Sequence, residues 1–275
     1  MTQPSTERAT GLVLLALIVL VYVFPYAFLV STSLKPPSDA LSIPPTLLPQ
    51  RISFENYTII GDFPVVQRSF GNSAIIALLS TAISISLAIP AAYAIARFAT
   101  WAGKLFLIAA LVTRLIPPVS VGIPLFAIMR SLGLIDTHLG VALAHSTVSV
   151  PLAIWLLASF MESIPSALEE AARVDGCSRF GALFRIIIPV AAGGIAVTAI
   201  FVFLASWNEF LFSLLLSSTG VKTAPIAIAE FKSQYGIQWG TMTSLAVLYS
   251  FPVIIFSLLM QKRILAGMTM GAVKG

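Results

Sequence analysis

The sequence predicts an all-α protein that crosses a membrane about six times, and three observations predict it. Of its 275 residues, 58% are hydrophobic and only 10% charged, with a mean hydropathy of +0.97, against about 25% charged residues in a soluble domain. Apolar stretches long enough to cross a bilayer recur from one end to the other, with no polar block set apart. These stretches are continuous, whereas the strands of a membrane barrel would alternate over short segments. In hydrocarbon every backbone N–H and C=O must find a partner inside the protein, so long continuous spans are helices. The chain therefore reads as one membrane domain over residues 1–275.

The spans follow in order. Gly11–Ser33 lacks a small-residue cleavage site and is expected to stay as an anchoring helix. Phe70–Ala96, Leu105–Met129, Leu139–Phe160, Ile187–Leu216 and Thr241–Met260 complete the set. An even number of spans puts both termini on one side. Arg8, Arg97, Lys104, Arg173, Arg179, Arg185, Lys262, Arg263 and Lys274 would then face inward, against Lys35, Arg51, Arg68, Arg130, Lys222 and Lys232 outside. That bias selects the cytoplasm for the termini. The loop Met161–Ile186 is then cytoplasmic and the stretch Lys35–Arg68 external. Pro36, Pro37, Pro44, Pro45 and Pro49 keep the external stretch extended or turning. It is either a contact for an external partner or a plain connector.

Several function classes are disfavoured. The net charge of +5 lies between apolar runs and forms no stripe, so it reads as topology rather than a nucleic-acid surface. Cys177 is the single cysteine, and His138 and His145 lack ligand-like spacing, so neither a disulfide framework nor a metal is expected. No Gly-x-x-x-x-Gly-Lys-Ser/Thr loop occurs, so nucleotide is not held in the P-loop manner and no cofactor is expected in this chain. No nucleophile and base are visibly paired, and His145 reads as a packed or helix-bonding histidine, which argues against an intramembrane enzyme. The alternative class is a stand-alone channel or ion-coupled secondary carrier. It would need more intramembrane carboxylates than Glu209.

The most informative segment is the loop of about residues 161–189, which reads as two short helices. Ser166 with Glu169 three residues on reads as a capping box, and Gly176 supplies a left-handed stop. A helix of about nine residues is too short to persist alone in water. Ala171 and Ala172 give it a smooth surface, so it calls for a docking partner. Beyond the glycine turn, Phe180, Leu183, Phe184 and Ile187 recur at helical spacing, suiting a second piece at the membrane interface ahead of Pro189.

Glu170-Ala171-Ala172, followed by Gly176, Ile186 and Pro189, resembles the EAA motif of binding-protein-dependent ABC import permeases. Ile188 stands where that pattern usually has Leu, and Cys177 where Ala is common. Further residues resemble the carbohydrate-uptake, maltose-permease-like branch: Phe70-Gly71-Asn72-Ser73, Ala91 to Phe98, Thr113 to Pro118, Ile123-Pro124-Leu125, Leu132-Gly133-Leu134, Trp207 to Phe210 and the ending Gly267 to Gly275. The resemblance implies a permease subunit of an ATP-driven importer in a bacterial plasma membrane, forming half of the path for a sugar or sugar-like solute. A glycerol phosphate ester would fit the same branch. The implied partners are a second permease, a pair of ATPase subunits that bind ATP and Mg, an extracytoplasmic solute-binding protein and membrane lipid, with no nucleic acid. By the same resemblance ATPase coupling falls on Glu169, Glu170, Ala171, Ala172, Asp175, Gly176 and Pro189. The tail of about residues 261–275, with Gly271, Ala272, Val273, Lys274 and Gly275, would reach between the ATPase subunits.

Arg114 in the third span and Glu209 in the fifth are expected to be buried. A charge at the bilayer centre costs about 2.5–3.5 kcal/mol on insertion scales, which makes an Arg114–Glu209 pair the expectation. Asn72, Arg114, Trp207, Asn208 and Glu209 are candidates for the solute path, because a sugar needs an aromatic face for its C–H surface and polar groups for its hydroxyls. The other readings are helix joining by Trp207, Asn208 and Glu209, and capping of the second span by Asn72. Pro90, Pro117, Pro118, Pro124, Pro151 and Pro252 are expected to kink or break spans.

Overall fold

The computed structural model describes residues 5–40, 42, 44, 46–98, 100–234 and 238–272, whose regular structure is helical with no strand among them. In order they form α1 (Ser5–Ser33), α2 (Glu55–Gly61), α3 (Pro64–Phe98), α4 (Trp101–Val112), α5 (Pro118–Ser131), α6 (His138–Glu162) and α7 (Ser166–Val174). Then come α8 (Arg179–Ala182), α9 (Ile188–Val190), α10 (Ala192–Trp207), α11 (Leu211–Leu216), α12 (Ala224–Gln234) and α13 (Trp239–Ala272). Among the described residues α1, α3, α6 and α13 are each long and apolar enough to cross a membrane. Two bent pairs, one running through α4 and α5 and one through α8–α10, bring the total to six when each is taken as one span.

The first bend falls where Pro117 and Pro118 are expected to break the third span, and the second revises the reading of a continuous fifth span. The first is 99°. A 3-10 turn at Thr113–Leu115 ends in Ile116, which is extended (φ −70°, ψ 128°), because the ring of Pro117 bars the preceding residue from helical geometry. Pro118 then opens α5, where its missing N–H costs nothing. The second bend, 77°, follows a π-helical turn at Leu183–Ile187 and falls at Ala191 (φ −79°, ψ 1°). Pro90, Pro124, Pro151 and Pro252 remain inside their helices, as Pro25 does in α1. The second span also starts earlier than Phe70, since α3 begins at Pro64.

The chain divides into two compact units, residues 1–67 with 227–251 and residues 68–226 with 252–275. In the first, the fully buried Asn56 holds the proline-rich stretch. Its Nδ2 donates to the Ser33 carbonyl (3.1 Å) and the Lys35 carbonyl (2.7 Å), and Ser244 Oγ donates to the same Ser33 oxygen (3.2 Å). The stretch thus folds back on the end of α1, with α2 in it. The apolar window of α1 has none of its residues buried.

In the second unit α6 is the central helix, packed against α10, α4 and α11. One apolar cluster gathers Leu157, Met161, Leu183 and Ile187, and another gathers Ile76, Val141, Phe212 and Leu216. Without water inside the bilayer to drive association, close backbone approach matters more. A Cβ at Gly194 would lie 2.6 Å from the Phe160 ring, so only glycine lets α10 seat on α6.

Candidate functional site

The loop of about residues 161–189 is built from its two ends. Pro165 (φ −56°, ψ 132°) occupies the cap position of α7, so Ser166 becomes the first helical residue and makes no side-chain cap bond. The expected capping box is therefore absent. The stop is as expected: Gly176 has φ +88°. Cys177 N donates to Ala172 O (2.9 Å) and Gly176 N to Arg173 O (3.1 Å), the paired bonds of a Schellman ending. Ser178 Oγ then accepts from Gly181 N (3.1 Å) and starts α8.

Freed from capping, Glu169 turns inward. Its carboxylate lies 3.1 Å from Arg97 Nε at the end of α3 and accepts a 2.5 Å hydrogen bond from the Tyr93 hydroxyl. Arg97 Nη1 also donates to Ile164 O (3.0 Å), two residues before α7. One guanidinium thus grips α7 and the chain leading into it. Burying either charge alone would be costly, and the pair answers that cost within the chain. Ala172 is buried on the same side, while Glu170, Ala171, Arg173, Val174 and Asp175 are exposed on the other. Val174 is 87% exposed and Phe180 72%, an apolar surface that none of the described residues covers. Pro189, in α9, is exposed as well.

A second polar cluster lies deep in the unit. His145, 1% exposed, meets Ser206 Oγ through Nδ1 (2.7 Å) and, through Nε2, both Ser213 Oγ (2.9 Å) and Glu209 Oε2 (3.0 Å). Glu209 also accepts from the backbone N–H groups of Phe212 (2.9 Å) and Ser213 (3.1 Å), the free donors at the start of α11. These bonds close the break between α10 and α11. The histidine is helix-bonding, as its residue type suggested, but it does not stand alone.

The expected Arg114–Glu209 pair does not form. Arg114 is exposed, placed at the broken corner between α4 and α5 by the Pro117 constraint, where it lines a cavity of about 340 Å³ with Thr147, Val148 and Phe212. Trp207 is 4% exposed and stacked on Phe203 at a centroid distance of 5.8 Å, while Phe203 also meets Phe256 at 4.9 Å. Asn208 is exposed, its Nδ2 donating to Leu204 O (2.8 Å). Asn72 does not cap α3, which starts two turns earlier. Its Nδ2 donates to Lys222 O (2.9 Å) and its Oδ1 lies 2.9 Å from His138 Nε2, tying α3 to α6 and to the loop after α11. Gly271 and Ala272 close the backbone of α13, and Val273, Lys274 and Gly275 lie outside the described residues.

Sequence reasoning missed Asp136. It has φ +58°, and its carboxylate accepts from the N–H groups of Ser218 (2.9 Å), Gly220 (3.0 Å) and Val221 (3.0 Å). Burial pushes its pKa up, but these donors, joined by Thr219 N–H, outweigh that and hold the carboxyl below its usual range. Nothing in the local sequence marks this, because the partners lie far along the chain. Among the described residues no group of three or more His, Cys, Asp or Glu is arranged for a metal.

Four apolar helices, two bent pairs and a short helix with an exposed outer face suit a multi-pass membrane protein. Residues 84–269 match the family described as binding-protein-dependent transport system inner membrane component. The chain belongs to that family and is a permease subunit of a binding-protein-dependent importer. It is 39% identical over 275 residues to the trehalose transport system permease protein of Mycobacterium tuberculosis, covering 98% of this chain and 100% of that one. It is 34% identical over 269 residues to the trehalose/maltose transport system permease protein of Thermococcus litoralis, covering 96% and 95%. Its fold is similar to a chain in the crystal structure of a bacterial ABC transporter involved in the import of the acidic polysaccharide alginate. The TM-score is 0.80 at 21% identity, covering 95% of this chain and 99% of that one.

Proposed function

We propose that this permease imports a carbohydrate, that α7 docks on a separate ATPase, and that ATP and Mg are held by that partner. The observation that carries the reading is the two-sidedness of α7. One side is fastened by Glu169 and Ala172, while the other presents Glu170, Ala171 and Val174, exposed among the described residues. A displacement of α7 would reach α3 through Arg97, which holds Glu169 and the Ile164 carbonyl together. Coupling of this kind is reciprocal, so delivered solute must alter nucleotide binding as nucleotide alters the path. The carbohydrate assignment is supported by the trehalose and maltose systems to which the relatives above belong.

In this reading the assembly contains a second permease, a pair of ATPase subunits and an extracytoplasmic solute-binding protein, with both termini in the cytoplasm. Residues 1–275 act as one transmembrane domain, and the tail Gly271–Gly275 reaches the ATPase pair. The apolar surfaces of α1 and of α4, which has no buried residue, suit lipid and the second permease. Arg114, Asn208 and the partly open carboxylate of Glu209 are the candidates for the path, while Trp207 and Asn72 serve packing. The test is uptake into proteoliposomes carrying both permeases and the ATPase, with binding protein outside and ATP inside. Labelled trehalose or maltose should accumulate only with ATP and binding protein together; uptake that ignores ATP would contradict the reading.

A further inference from the structure

Lys35 follows α1 by two residues and is only 3% exposed, yet no carboxylate among the described residues lies within 4.0 Å of it. Its Nζ donates to Thr46 O (2.5 Å) and stands 5.2 Å from the centre of the Phe28 ring. An ammonium has three donors, and one carbonyl with a ring face leaves much of that capacity unused. Beside it Thr32 is 6% exposed, and its Oγ1 has no hydrogen-bond partner among the described residues. Both residues line a cavity of about 510 Å³ together with Pro25, Phe28, Trp239 and Thr243. All of them belong to the first compact unit. A buried cation without a counter-charge is costly enough that an anion is the natural complement of this cavity.

The surroundings choose the source of that anion. The length of α1 from Leu12 to Phe24 presents side chains more than half exposed, which is a lipid-facing surface. Trp239 (42% exposed), at the start of α13, lines the cavity, an amphipathic ring of the kind found at headgroup level. We propose that the cavity binds the phosphate of an anionic phospholipid, with Lys35 supplying the charge, the Thr32 hydroxyl a donor, and the acyl chains lying along the last turns of α1 at Pro25 and Phe28. A zwitterionic lipid brings its own ammonium into the same place and is disfavoured. This inference needs a membrane-spanning α1, and it stands whatever solute the importer carries.

The test uses the whole purified transporter, stripped of lipid and then offered phosphatidylglycerol, phosphatidylcholine or inorganic phosphate, with retained molecules read by native mass spectrometry. Phosphatidylglycerol should be retained at least about fivefold over phosphatidylcholine, the scale of one lysine against an anionic headgroup. Lys35→Gln should abolish that preference, Lys35→Arg should keep most of it, and Thr32→Val should weaken it. Equal retention of the two lipids by the unaltered protein would overturn the proposal without any variant. So would inorganic phosphate binding as well as the lipid, or an unchanged preference in folded Lys35→Gln. Failure of both lipids and phosphate to bind would point to an acidic side chain of another subunit and would also overturn it.

Discussion

Glu169 and Glu209 are both carboxylates drawn into the second unit, and they are held in different ways. Glu169 meets an arginine, whose charge is permanent, together with a tyrosine hydroxyl. Glu209 meets the His145 ring together with two backbone N–H groups. The first joins a short surface helix to a membrane span; the second closes a break inside one. The difference teaches that the joint at Glu169 depends on side-chain partners alone, whereas the joint at Glu209 keeps backbone support when its side-chain partner changes.

Breaking the arginine contact should have the largest effect. Arg97→Ala strands a buried carboxylate, and removing one partner of a buried pair typically costs about 3–5 kcal/mol. Detergent-solubilised protein should show a large loss of thermal stability, and uptake should fall with it. Exchanging Arg97 and Glu169 should recover more than either single change. Tyr93→Phe removes a hydrogen bond to a charged acceptor, worth about 1.5–3 kcal/mol. Transport per ATP hydrolysed should fall more than protein abundance, which a Western blot beside an ATPase assay can separate. His145→Gln should cost only about 1 kcal/mol, because Glu209 keeps its backbone donors; a loss as large as that of Arg97→Ala would erase the contrast between the two joints.

Asp136 sharpens the comparison as a carboxylate held by backbone alone. Its folded pKa is depressed, so its contribution is present above the unfolded value of about 3.9 and fades as pH falls through the folded value. Hydrogen exchange of the amides at 218–221 should therefore show protection lost only under acid conditions, and Asp136→Asn should reduce that protection at neutral pH. The site is partly exposed, so this is the smallest effect of the series.

The residues also divide by what sequence can reveal. Helical spans, the Gly176 stop and the exposed Ala171 surface were legible because local rules decide them: apolar length, a left-handed glycine, small side chains. The Glu169 capping box was a sound local pattern that tertiary structure overrode, since Pro165 took the cap position and Arg97 offered a stronger partner. The Arg114–Glu209 pair failed for a related reason. Burial cost requires that a charge be answered, but the fold chooses who answers, and His145 stood closer to the break at Glu209. Arg114 was never deep, because Pro117 broke its span at that point.

The most direct test of the account concerns the outer side of α7. Ala171→Arg places a large charge on an exposed position that touches none of the Glu169 contacts. Tagged permease should still purify with the other permease, but the ATPase should be lost from the complex, and hydrolysis stimulated by loaded binding protein should vanish. Full recovery of the ATPase with undiminished stimulated hydrolysis would contradict the claim that this face is where the motor attaches.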